Sequence, residues 1–262
     1  MIASPIRWCV LIPCLNEENA IQSVVESVLA LGATVIVVDD GSNDRTPDIV
    51  AALPATLLRH AQRHGKGEAL RQGFREALRQ GFDAVLTMDG DGQHLAADIP
   101  RMVAAAAAYP DHIVIGARLL DREQQPKGRR RANAVADWGI SWACAQPVVD
   151  TQSGQRWYPR SAMELVDLPA EHFVFEAAIL IAASREKKLG VVSVPIASRY
   201  HAAFRRSHFS PVRDVTRITA YTIGRVIHYG DIVKSGQRSR TQPLVLDRVG
   251  ASAPLNALAP AP

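Results

Sequence analysis

Short apolar runs alternate with longer amphipathic stretches through the first half of the chain. Residues 8–12, 34–38, 56–59, 84–88 and 113–116 read as strands, the first stopped by Pro13. Between them, Ile21, Val24, Val25, Val28, Leu29 and Leu31 recur at helical spacing as far as Gly32. Asn16 is placed to cap that helix, with Glu17 and Glu18 in its first turn. A second helix starts at Asn43 or Asp44 and reaches Leu53; residues 66–80 and 99–108 form two more. Strand–helix alternation of this kind predicts an α/β fold with a mainly parallel sheet and helices on both faces, and 262 residues allow one large domain or two small ones.

The pattern changes after Arg118. Residues 120–131 are polar and charged and read as a loop, followed by a helix over 133–145. Residues 150–156 are turn-rich, 173–188 helical and 191–196 a strand, and 210–229 are loosely helical. From Gly236 onward Ser, Gln, Pro and Ala dominate without period. The domain is therefore expected to end near 235, with a disordered tail over 236–262.

Charge changes the picture more than composition does. The chain of 262 residues is 47% hydrophobic and carries a formal net charge of +4. Residues 185–240 hold twelve Lys and Arg against three Asp and Glu, so this local +9 leaves the remainder at −5. A basic final third suggests a phosphate-rich partner or an anionic membrane surface. No DNA- or RNA-binding motif accompanies the charge, so nucleic acid is not an expected partner. Cys9, Cys14 and Cys144 fit neither a zinc site nor a disulfide framework. With no signal peptide and no bilayer-length apolar run, a cytoplasmic protein is expected, peripheral on the membrane's cytoplasmic face.

Three strands end in polar clusters, at residues 13–18, 39–44 and 89–94. Ligands of open α/β sheets bind beyond such strand ends. Asp89 and Asp91, separated by Gly90 and followed by Gln93 and His94, offer hard ligands suited to Mg²⁺ or Mn²⁺. Gly90 would let the backbone approach a ligand closely. An acidic turn capping the next helix is the plainer alternative. His64-Gly65-Lys66-Gly67 lacks P-loop spacing, and no glycine fingerprint of a dinucleotide fold follows the first strand.

Four motifs then occur in order: Val10-Leu-Ile-Pro13-Cys-Leu-Asn16-Glu17-Glu18, Val37-Val-Asp39-Asp40-Gly41-Ser42-Asn-Asp44-Arg-Thr46, Gly65-Lys66-Gly67 and Met88-Asp89-Gly90-Asp91-Gly92-Gln93-His94. Together they resemble a family 2 glycosyltransferase of GT-A fold, over residues 8–230, which implies a Rossmann-like mixed, mainly parallel sheet with helices on both faces in a single domain. Asp150-Thr-Gln-Ser153-Gly154-Gln-Arg156 and Val194-Pro195-Ile196 resemble the branch that contains dolichyl-phosphate mannose synthase and related polyprenyl-phosphate sugar transferases.

The resemblance implies an inverting, metal-dependent transfer from a nucleotide sugar. Pro13, Leu15 and Glu17 would line the nucleotide pocket, and Val38 and Asp40 would contact base or ribose. Lys66 and Gly90 join the donor site, Arg118 matches a phosphate-binding arginine, and Asp89, Asp91 and Gln93 would surround the metal. The synthases carry Arg-x-x-Gly-x-Ser-Lys after the Val-Pro-Ile strand. Here Ala202 replaces that arginine and His208 the lysine, with Arg205 or Arg206 able to supply charge nearby. Arg130 and Arg131 are further candidates for an acceptor phosphate, or else part of a solvated face. The absence of a Glu-Asp base pair fits a polyprenyl-phosphate acceptor, brought by a membrane or a membrane partner protein. Transfer to a hydroxyl would instead require a base, Glu176 or Asp150. A catalytically silent binding protein is the third reading. Spacing around Gln152 and Trp157 and the lack of membrane helices argue against processive polysaccharide synthesis.

Overall fold

The computed structural model describes residues 6–120, 127–170, 174–197 and 211–247. In chain order the first elements are β1 (Trp8–Cys14), α1 (Ile21–Leu29), β2 (Thr34–Asp39), α2 (Thr46–Ala51), β3 (Thr56–Arg59), α3 (Lys66–Arg79) and β4 (Ala84–Thr87). A 3-10 turn (Ala96–Asp98) leads into α4 (Ile99–Ala108) and β5 (His112–Ala117). Then come α5 (Lys127–Cys144), β6 (Arg156–Pro159), α6 (Arg160–Met163), α7 (Val174–Arg185), β7 (Gly190–Pro195), α8 (Pro211–Tyr229) and α9 (Ile232–Thr241).

The described strands form one sheet in the order β3-β2-β1-β4-β6-β5-β7. Neighbours are parallel except β6, which runs antiparallel to both β4 and β5. Side chains of β1 alternate between two cores. Cys9 and Leu11 pack with Leu70 and Phe74 of α3 and with α7; Val10, Ile12 and Cys14 pack with α1 and α4. Each fully buried side chain of this size stabilises the fold by roughly 1.5–3 kcal/mol relative to exposure. Helix α7 is apolar around nearly its whole circumference and is correspondingly buried, with Glu176 and Arg185 as its half-buried exceptions.

Several expectations are corrected. Pro13 does not end β1. Pairing with β4 stops at Leu11, so the N–H that proline lacks leaves no ladder bond unmade. Asn16, at φ 55°, is not a helix cap, because α1 starts five residues later at Ile21. Helix α5 begins at Lys127, inside the stretch expected to be a loop. β6 begins at Arg156, where a charged residue after a turn-rich segment hides the strand pattern. The tail expected from Gly236 is helical to Thr241, and Leu246 bridges to Ser193 of β7; residues 248–262 lie outside the described set.

Candidate active site

The ends of β1 and β2 are stapled to one another by side chains on backbone amides. Asn16 N–H donates to Ser42 Oγ at 2.7 Å, and Asn43 N–H donates to Asn16 Oδ1 at 2.8 Å. Glu17 N–H reaches Thr46 Oγ1 at 2.8 Å and Glu18 N–H reaches Asp44 Oδ2 at 3.2 Å. This lattice fixes the segment carrying Leu15 and Glu17, both half-buried, beside buried Pro13. Val38 is fully buried in the core, so its side chain faces packing rather than a ligand. Asp40 is likewise committed. Its Oδ1 accepts from His64 N–H and pairs with His60 Nδ1, both at 2.8 Å, and its Oδ2 accepts from Gly65 N–H at 2.7 Å. The carboxylate thus organises the segment leading into α3, and any nucleotide contact has to be made around these bonds.

That segment delivers Lys66 to the end of β4. Lys66 Nζ lies 2.8 Å from Asp89 Oδ1 and 3.2 Å from Glu176 Oε2, joining the first turns of α3 and α7 to the strand end. Burial alone would disfavour each charge. For Lys66 the two carboxylates outweigh it and raise the ammonium's pKa; for Asp89, Lys66, His94 and Arg118 outweigh it and lower the carboxyl to about 2. Asp91 has the opposite fate: burial, then the neighbouring Asp89 charge, push it up to about 6. Its Oδ1 accepts from Gln93 N–H at 3.0 Å. Burial lowers His94 to about 4; its Nδ1 stands 3.7 Å from Asp89 Oδ2 and makes no hydrogen bond.

Among the described residues, no group of three or more His, Cys, Asp and Glu is placed to hold a metal ion. The protein brings two carboxylates, Asp89 and Asp91, with half-buried Gln93 beside them. Among the described residues Asp91 has no cationic partner. That donor set fits a hard cation whose remaining ligands come from phosphate oxygens and water, the habit of Mg²⁺ in phosphate-binding sites. Gly90 serves packing rather than ligand approach: a β-carbon there would stand 3.1 Å from Cys14 Cβ and 3.3 Å from Ile21 Cδ1.

On the other flank Arg118 grips Asp150 with two parallel bonds, Nε to Oδ2 at 2.8 Å and Nη2 to Oδ1 at 2.7 Å, and its backbone N–H adds a third. Burial opposes ionisation of Asp150, but Arg118 prevails and lowers its pKa. Arg130, exposed on α5, shares a cleft with Arg118, Asn133, Asp137 and Asp150. Arg131 is exposed one residue further on. Arg205, Arg206 and His208 lie outside the described residues.

Several residues escaped sequence reasoning. Asp137 of α5 accepts from Asp150 N–H, Thr151 N–H and Thr151 Oγ1, at 2.7–3.0 Å, and so shapes the turn that presents Asp150. Arg156, 1% exposed, donates to the carbonyls of Ser153, Thr151 and Glu176. Thr87 Oγ1 donates to Gly154 O at 2.8 Å, seating that glycine against Asp89. The available signal was modest: single polar residues inside otherwise apolar or helical runs.

The family model for glycosyl transferase family 2 matches residues 9–211. The UDP-N-acetylglucosamine–dolichyl-phosphate N-acetylglucosaminyltransferase of Methanococcus voltae is 28% identical, over 72% of this chain and 84% of its own. An undecaprenyl-phosphate 4-deoxy-4-formamido-L-arabinose transferase of Pectobacterium atrosepticum is 32% identical, over 58% of this chain and 48% of its own. Among solved structures, glucosyl-3-phosphoglycerate synthase of Mycobacterium tuberculosis, crystallised with Mn²⁺, UDP and phosphoglyceric acid, superposes with a TM-score of 0.63. It is 24% identical, and the match covers 87% of this chain and 79% of that one, a likeness of fold.

Proposed function

The chain belongs to glycosyl transferase family 2 and is a glycosyltransferase, and we propose that it moves a sugar from a nucleotide-sugar donor to a polyprenyl phosphate at the cytoplasmic membrane face, with inversion. The observation that carries the acceptor assignment is that both candidate bases are held by cations: Glu176 by Lys66 and Asp150 by Arg118. A phosphate monoester, with a second pKa of about 6, is already ionised at neutral pH and attacks without a protein base. The M. voltae and P. atrosepticum relatives are named for dolichyl- and undecaprenyl-phosphate acceptors, which agrees with this choice.

In this reading Asp89 and Asp91, with Gln93, would hold Mg²⁺ or Mn²⁺ at the donor site. The bound cation supplies neutralisation of charge on the departing nucleoside diphosphate. Pro13, Leu15 and Glu17 border the nucleotide, while Lys66 fixes Asp89. The acceptor- and membrane-facing part takes in about residues 119–235; Arg130, with Arg118 at its border, lines the cleft that receives the acceptor phosphate, and exposed Arg131 follows on the same helix.

A panel of nucleotide sugars, each with Mg²⁺ or Mn²⁺, tests this with polyprenyl phosphate and the matching polyprenol side by side. Nucleoside diphosphate release with the phosphate and not the alcohol is the expected result. Transfer to the alcohol alone would end the phosphate assignment and return Glu176 or Asp150 to the role of base.

A further inference from the structure

Helices α5, α8 and α9 pack together on the flank of the sheet, and their outward side is unusually apolar for exposed surface. Val135 and Trp138 of α5, Ile223 and Ile227 of α8, and Ile232 and Val233 of α9 are 43–70% exposed. Contacts set their orientation. Gly139 faces Thr222 across the α5–α8 seam, and the buried stripe of α8 is Ile218, Thr222 and Val226. Tyr221, Arg225 and Tyr229 lie on the side of α8 that meets Glu186 and Arg185 at the end of α7. Ile223 and Ile227 therefore fall on the opposite side of α8, exposed. On α5, the Trp138 ring lies 5.4 Å from that of Trp142, whose Nε1 donates to Ile232 O at 2.8 Å, tying the same side to the start of α9.

Among the described residues, the exposed charges on these helices beside the apolar side chains are basic. Arg131, Lys234, Arg238 and Arg240 are exposed. The described acids of α5 and of the α8–α9 junction are used internally: Asp137 by the amides of Asp150 and Thr151, Asp231 by Arg185. No helix among the described residues is long and apolar enough to cross a membrane. Exposed Trp and aliphatic side chains edged by unpaired cations are the chemistry that lies in the interface of an anionic bilayer.

We infer that the α5–α8–α9 face docks onto an anionic phospholipid surface, without crossing it. The cleft of Arg118 and Arg130 is lined by the same helix α5, through Arg130, Asn133 and Asp137, so docking brings a lipid phosphate to the helix that borders the cleft. In that last respect the inference rests on the acceptor assignment above; docking itself does not.

The test uses the full chain with vesicles of phosphatidylcholine, with and without phosphatidylglycerol, containing no acceptor. Co-sedimentation with the anionic vesicles is expected, with Trp fluorescence quenched by brominated lipid and most of that quenching lost in Trp138→Phe. Lys234→Ala with Arg238→Ala should weaken binding roughly 30-fold, at about fivefold per surface cation, and added salt should remove most of that difference. Val233→Ser with Ile227→Ser should weaken it at any salt. All these variants should keep wild-type transfer to a short-chain, water-soluble acceptor phosphate, which also shows that they fold. Absence of anionic-vesicle binding, or binding unchanged by these substitutions, overturns the inference. A dimer in sedimentation velocity that Val233→Ser with Ile227→Ser dissociates would overturn it in favour of a second copy of the chain. Vesicle binding without transfer to any phosphate acceptor would leave docking standing and remove the acceptor assignment.

Discussion

Gly154 lies against the carboxylate of Asp89: a β-carbon on residue 154 would fall 2.7 Å from Asp89 Cγ and Oδ1, and closer still to Oδ2. The clashing atoms are the end of a side chain rather than backbone, so a larger residue would push Asp89 aside before it disturbed the fold. Gly154→Ala is therefore expected to lower kcat by about a hundredfold, the scale of a displacement of about 1 Å at a reacting centre. The midpoint of thermal unfolding should hardly change. Steady-state kinetics beside a melting curve checks this, and a large loss of stability with activity per folded molecule preserved would refute it.

The second prediction concerns Asp91, the carboxylate of the pair that makes no salt bridge among the described residues. Asp91→Asn keeps the shape and the acceptor for Gln93 N–H but removes one of the two charges of the proposed metal site. Metal-dependent donor binding, followed by calorimetry with and without Mg²⁺ or Mn²⁺, should weaken by at least about tenfold, and transfer should be lost. Donor affinity that is the same with chelator as with metal would defeat the assignment.

Much of the fold was legible because the apolar runs are long and regular. β3 and α4 fall on their expected residues, and most other boundaries differ by a few residues. β6 was not legible because Arg156 begins it, and its charge is satisfied only by carbonyls of residues 151, 153 and 176, a tertiary arrangement that no local pattern announces. α9 was hidden by poor helix formers; it is held by contacts such as Trp142 with Ile232. At the site, Asp89 and Asp91 stood out through spacing alone. The commitment of Asp40 to residues 60–65 did not, since a carboxylate after a strand looks the same whether its partner is a ligand or a loop.

Arg118 and Asp150 lead to a prediction about stability and pH. Asp150→Asn removes the charge that the Arg118 guanidinium, 12% exposed, meets at 2.7 Å. Removing one partner of a buried pair typically costs about 3–5 kcal/mol, and the lower end is expected at this exposure. Asp150 has its carboxyl pKa lowered in the folded state, so the pair's contribution is full above the unfolded value near 3.8 and is lost as pH falls through the lower folded value. Urea unfolding should thus separate wild type from Asp150→Asn by a constant amount between neutral pH and about pH 5, narrowing only in stronger acid. A gap that closes already between pH 7 and 5 would contradict the pairing.

Glu176 separates the two acceptor chemistries most sharply. It stands 3.2 Å from Lys66, which in turn stands 2.8 Å from Asp89, so its place in the structure is that of a residue positioning the lysine. Glu176→Gln keeps an oxygen able to accept from Lys66 and removes only the charge. If the nucleophile is an ionised lipid phosphate, this variant should retain kcat within about tenfold, well short of the roughly 10²–10⁴ lost when a general base is removed. Glu176→Ala, which also removes the bond to Lys66, should do more harm, by freeing Lys66 to move and loosening Asp89. Rates for both variants with saturating polyprenyl phosphate decide the matter. The pH profile gives an independent check: activity should fall below about pH 6 in wild type and Glu176→Gln alike, because the proton responsible sits on the acceptor phosphate. A limb that disappears in Glu176→Gln, together with a kcat a thousandfold down, would make Glu176 the base after all.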